Sequence, residues 1–143
     1  MARYQLTIFL LLLLSSCIRP PHIDDPVGDA LSKWKKARIN DYTYVVRPRC
    51  YCREGKTAPH EIKVQGGKIV SVNGMPYERE ISGNLYTIDG LFDYLKQRNA
   101  TPHFLKEMEF DPRNGIPTHV YFDRDERIRD EEYGWDITSF RAD

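Results

Sequence analysis

A cationic start, Met1-Ala-Arg3-Tyr-Gln5, leads into a nine-residue apolar core, Leu6 to Leu14, and then Ser15-Ser16-Cys17. As a helix the core would reach only about 14 Å, at roughly 1.5 Å per residue, against a hydrocarbon layer of about 30 Å. It reads as the h-region of a secretion signal and not as a membrane span. Leu14-Ser15-Ser16-Cys17 looks like a lipobox, in which the cysteine sulfur receives a diacylglycerol before cleavage on its amino side. The expected division is a signal peptide over residues 1–16, a lipidated Cys17 with its tether over 17–28, and one domain over 29–143. Each buried methylene contributes about 0.8 kcal/mol, so two or more acyl chains give lasting attachment where one holds only marginally. Ile18 follows the cysteine where retention at the inner membrane would call for Asp, which points to an outer membrane facing the periplasm if the cell has one.

Removing sixteen residues leaves 127 of 143, enough to bury one core. The formal balance of 21 basic against 21 acidic groups becomes 20 against 21, since Arg3 alone is lost. This interspersed, neutral pattern excludes nucleic acid as the expected partner, because phosphate binding needs a basic stripe. Ile18 to Val27, rich in proline and without apolar period, reads as an extended tether.

Beyond it, Ala30, Trp34 and Ala37 fall at helical spacing, with Asp29 placed to cap the helix. Tyr42 to Val46 reads as a strand, and Glu61–Gln65 with Lys68–Val72 as a hairpin about Gly66-Gly67. Thr87 is placed to cap a second helix, where Ile88, Leu91, Phe92 and Leu95 share a face that ends near Asn99. Phe104, Lys106, Met108 and Phe110 share a strand face, Asn114-Gly115 signals a type I′ turn, Thr118–Asp123 returns, and Trp135–Phe140 adds an edge strand. The order predicts an α+β domain, an antiparallel sheet with two helices packed on one face, built from a helix-plus-hairpin unit used twice. The alternative is a cystatin-like sheet around one dominant helix.

Cys50-Tyr51-Cys52 is the main chemical constellation. In strand geometry the two α-carbons stand about 6.6 Å apart, near the upper limit of about 6.8 Å for a disulfide. Such a bond is strained and oxidising, and Arg47, Arg49 and Arg53 favour thiolate, which makes a redox pair. The plainer alternative is that the sulfurs continue the inward face of Tyr42, Tyr44 and Val46, as packed groups or a small staple. A zinc site with His60 lacks ligands, and C-x-C is not the usual spacing; His22, His103 and His119 read as solvated or strand-surface residues. The acidic run from Asp123 to Glu132 fails the calcium-loop pattern, with Ile128 at the sixth place and Gly134 at the twelfth, so a solvated turn is expected, with Asp111 the one carboxylate elsewhere placed to converge on it. No G-x-S-x-G elbow, P-loop or H-E-x-x-H occurs, and neither a cofactor nor a metal is expected. Tyr51 and Tyr133 are candidate partner anchors.

Trp34, Ile39-Asn-Asp41-Tyr-Thr-Tyr44, Cys50-x-Cys52, Ile62-Lys-Val64-x-x-Gly67, Thr87-Ile88-x-x-Leu91-Phe92 and Phe110-Asp111-x-x-x-Gly115-x-Pro117-x-x-Val120-Tyr121-x-Asp123 together resemble a family of small bacterial lipoproteins known only as a domain of unknown function. The resemblance implies an envelope location and a single α+β domain, and carries no activity, substrate or cofactor; the run Arg127 to Arg129 is more basic than the family pattern. The expected function is a membrane-anchored, non-enzymatic domain that binds an envelope protein or cell-wall polymer. The alternatives are a thiol-dependent redox protein using Cys50 and Cys52, and an inhibitor-like binding domain.

Overall fold

The computed structural model describes residues 25–51, 57–79, 85–128 and 130–143. Cys17, His22, Cys52 and Arg53 lie outside the described residues, as do the signal and most of the tether. Among the described residues no helix is long and apolar enough to cross a membrane.

The chain runs through α1 (Pro26–Ala37), β1 (Tyr42–Cys50), β2 (His60–Gln65), β3 (Lys68–Val72), β4 (Met75–Pro76), α2 (Ile88–Asn99), β5 (Leu105–Phe110), β6 (Pro117–Asp123) and β7 (Tyr133–Ala142). All seven strands form one antiparallel sheet in the order β4-β3-β2-β1-β7-β6-β5. The expected α+β class is thereby corrected: among the described residues the fold is mostly antiparallel β-sheet with two short helices, and strands hold about twice as many residues as helices. The doubled unit fails on topology. The strand after α1 lies at the sheet's centre, whereas the strand after α2 is outermost, so the halves are not copies. The cystatin-like alternative fails too, because the helices are equal at 12 residues each. The segment expected to add an edge strand, Trp135–Phe140, is instead the middle of β7, the longest strand, which pairs along the whole of β1.

Local signals explain the elements that form. In α1 the Asp25 carboxylate accepts from the Gly28 N–H at 2.9 Å, and Pro26 opens the first turn, so the helix starts ahead of Asp29 and Asp25 takes the capping role expected of that residue. In α2 the Thr87 hydroxyl accepts from Gly90 N–H at 3.1 Å, and Ile88, Leu91, Phe92 and Leu95 are buried, as the spacing predicts. Gly66 and Gly67 both have positive φ, the type I′ requirement, between Gln65 and Lys68. Asn73-Gly74 repeats that device between β3 and β4. Asn114-Gly115 does not: only Gly115 is left-handed, and the connection is a six-residue loop from Asp111 to Ile116.

Trp34, Tyr42, Tyr44, Ile62, Val64, Ile88, Phe92, Leu95, Val120 and Trp135 form the heart of the core. Two tyrosines of β1 also fix the start of α2. The Tyr42 hydroxyl accepts from the Ile88 N–H at 2.8 Å, and the Tyr44 hydroxyl donates to the Tyr86 carbonyl. Burial pushes the Tyr42 hydroxyl up to about 12 and raises Tyr44 further. Trp34 Nε1 donates to Asp89 at 3.0 Å, tying α1 to α2.

Gly115 has φ 78° and a Cβ there would stand 2.0 Å from the Ala30 carbonyl oxygen. Gly115→Ala should therefore cost about 2 kcal/mol or more, through backbone strain and displacement of α1. Gly66→Ala, left-handed but in open space, should cost only about 1 kcal/mol. Urea midpoints of the two variants check the order. Tyr44→Phe leaves the Tyr86 carbonyl without its donor and should cost about 1–3 kcal/mol in the same measurement.

Candidate functional site

Alternation along the central strands sends one set of residues to the core and the other to a polar face. On β1 the core takes Tyr42, Tyr44 and Val46, so Arg47 and Arg49 point the other way. The cross-strand register then builds a grid. Arg47 stands opposite Asp136, which stands opposite His119; Arg49 stands opposite Gly134, which stands opposite Tyr121, which faces Glu107.

Direct and diagonal cross-strand contacts knit this grid together. His119 Nδ1 lies 2.7 Å from Asp136 Oδ1, and its Nε2 lies 3.4 Å from Glu107 Oε2. Arg49 reaches the other Asp136 oxygen at 3.4 Å. The result is a chain of alternating charge across β1, β7, β6 and β5. The hydrogen bond to Asp136 holds His119 above its ordinary value, against partial desolvation and aided by Glu107. Burial raises the Tyr121 hydroxyl, with Glu132 adding to the effect.

At the Cys50 end the face opens into a groove of about 450 Å³, lined by Arg47, Arg49, Cys50, Tyr51, Tyr121, Glu132 and Asp136 among others. Gly134 sits between Arg49 and Tyr121 in the register and has no side chain to fill the row. It is also sterically required, because a Cβ would stand 2.1 Å from the Val120 carbonyl oxygen.

Cys50 ends β1 half-buried, on the Tyr42, Tyr44 and Val46 side of the alternation. Tyr51 already leaves the strand, so the extended geometry assumed for the cysteine pair does not continue through it. Among the described residues no group of three His, Cys, Asp or Glu is placed to hold a metal. His60 opens β2, while His103 lies 2.7 Å from the Thr101 carbonyl oxygen and packs against Phe122. Two carboxylates of the acidic run are paired within it, Glu131 with Arg124 and Asp125 with Arg127, each at 2.7 Å. Asp111 pairs with Arg113 and does not converge on it. Of the candidate anchors, Tyr51 is 74% exposed, whereas Tyr133 packs on Tyr94 and Trp135.

Sequence reading missed His119 and Asp136 as partners. Asp136 is a polar residue between buried Trp135 and Ile137, and His119 stands beside buried Val120, which is the available signal; their meeting depends on the β6–β7 register, which no local pattern states.

The folded protein holds the His119 proton more tightly than the unfolded chain. The stability this contributes is full below about pH 6.5, the ordinary histidine value, and is lost as pH rises through the raised folded value. His119→Gln should lower the urea midpoint at pH 5.5, by an amount equivalent to no more than about 1 kcal/mol, and the gap to wild type should narrow at pH 9. An equal gap at both values would assign His119 a packing role alone.

No curated protein and no solved structure matches the chain. A family model described as a family of unknown function, DUF6174, matches residues 27–142, which takes in the whole grid and all seven strands. The chain therefore belongs to that family of unknown function.

Proposed function

We propose that this chain is a lipid-anchored protein of the bacterial envelope, held through Cys17, whose domain binds an envelope partner on the polar sheet face without catalysing a reaction. The observation that carries the binding reading is the groove at the Cys50 end of the grid, where arginine, tyrosine and carboxylate side chains converge on one open face. The chemistry of the grid favours binding over acid/base work. Both His119 nitrogens face carboxylates, and Arg49 is engaged on Asp136, so the charged groups hold one another in place and do not stand free to accept a proton. Anchorage rests on the sequence from Arg3 to Cys17, and Ile18 favours the outer membrane.

Within this reading Cys50, which lines the groove, is joined to Cys52 by a disulfide that closes a small staple. Intact mass of the purified chain, alkylated after denaturation, should stay unchanged until reductant is added and then gain two alkyl groups. Two groups gained without reductant would remove the staple.

Two further outcomes test the whole. Cys17→Ser should abolish incorporation of labelled palmitate and shift the chain out of the membrane fraction. A photoreactive residue at Glu107, exposed on the polar face, should crosslink to an envelope component in cells, and one at Lys36 on α1 should not. Equal labelling from both positions, or none from either, overturns the assignment of the binding face.

A further inference from the structure

The groove's charged lining has two members of each sign, Arg47 and Arg49 against Glu132 and Asp136. They are not equally occupied. Arg49 and Asp136 satisfy one another at 3.4 Å, and Asp136 is also taken by His119. Arg47 is exposed and makes no ion pair or hydrogen bond among the described residues. The Glu132 carboxylate accepts the backbone N–H of Asp130 at 3.0 Å and has no cationic partner among the described residues. One cation and one anion are therefore left open in the same groove.

We infer that the groove binds a small zwitterion, an amino acid or the end of a short peptide, with the ligand carboxylate on Arg47 and its ammonium group on Glu132. The deduction rests on the proposed binding face and names its ligand class. A guanidinium presents paired N–H donors that match a carboxylate. A phosphate dianion fits poorly, because the open Glu132 carboxylate shares the groove and repels a second negative charge. Tyr51, 74% exposed, and Tyr121 supply aromatic surface beside the charges. The volume of about 450 Å³ falls in the range of about 300–1,000 Å³ common to small-ligand sites. Arg49 is a positioning residue here: paired to Asp136, it neutralises that carboxylate and leaves Glu132 as the open anion.

Calorimetric titration of the full chain, purified from membranes in detergent, tests this with Ala-Ala, N-acetyl-Ala-Ala, Ala-Ala amide and inorganic phosphate. Ala-Ala should bind, and each blocked form should bind roughly tenfold or more weakly, since each loses one charge-assisted pair. Arg47→Ala and Glu132→Gln should each weaken Ala-Ala by a similar factor. If the two ends dock as assigned, Arg47→Ala should leave binding of the amide nearly unchanged and Glu132→Gln that of the N-acetyl form, since each form already lacks the group that the altered side chain meets, and thermal melting should show both variants folded. No heat with Ala-Ala, or equal binding of all three peptides, overturns the proposal; binding of phosphate in preference to Ala-Ala replaces it with a plain oxyanion site. Crosslinking at Glu107 with no dipeptide binding would sink this ligand class and leave the binding face standing, whereas dipeptide binding without crosslinking would keep the groove as a ligand site and remove the envelope partner at Glu107.

Discussion

The pairing of β1 with β7 is the interaction on which everything else depends. It joins the first strand to the last and brings two separate meanders, β1 to β4 and β5 to β7, into one sheet. Nine residues of β1 find partners on β7, with Thr138 left over as a bulge between the pairs Val45–Ser139 and Val46–Ile137. Neither meander is self-sufficient. The first contributes Tyr42 and Tyr44 but needs α2 to cover their hydroxyls, and the second contributes Trp135 and Val120 but needs β1 beside it. Closing a loop of nearly the whole domain is entropically costly, though that cost grows only slowly with length. A fold so arranged is expected to form its centre late and cooperatively.

The residues that carry the family resemblance are largely explained by this architecture. The Asp41 carboxylate accepts from Gly66 N–H at 2.6 Å, so the loop before β1 holds the β2–β3 turn. Tyr42 and Tyr44 fix the entry to α2, and Trp34 meets Asp89 from the other helix. In the loop after β5, the Asp111 N–H donates to the Ile116 carbonyl and the Asp111 carbonyl accepts from Gly115, which presses the glycine against α1. These are scaffold roles. They explain why such a pattern can mark a fold without revealing a task.

Legibility in the sequence followed the range of the determining interaction. The α2 cap and stripe, and the Gly66-Gly67 hairpin, are fixed within a few residues and were readable. The start of α1 is hard to read because Asp29, inside the helix, looks like a cap, and Pro26, which settles the start in favour of Asp25, belongs to a proline-rich stretch that reads as tether. Asn73-Gly74 carried an equally strong turn signal, but only two residues pair beyond it, too few to show alternation. The class and topology were misread for a different reason. Trp135–Phe140 reads as a short hydrophobic strand whether central or peripheral, and the choice is made by partners some ninety residues away on β1. The candidate site shares that dependence, since Arg49, Asp136, His119 and Glu107 come from four strands and meet only through three registers.

The polar face is also where the sheet spends its charge most economically. An open sheet face lined with like charges would repel itself, and one lined with isolated charges would gain little, because exposed pairs contribute at most about 1 kcal/mol each. Here each group is shared: Asp136 serves both Arg49 and His119, and His119 serves both Asp136 and Glu107. Sharing restricts side-chain freedom across four strands at once, which pre-orients the groove wall at Arg49. The row through Gly134 completes the effect by a different physical route. The main chain of β6 comes so near that no Cβ fits, and the same absence of a side chain leaves space between Arg49 and Tyr121. Close strand packing and an open surface thus arise from one residue, and a side chain placed there would disturb the sheet before it filled the groove.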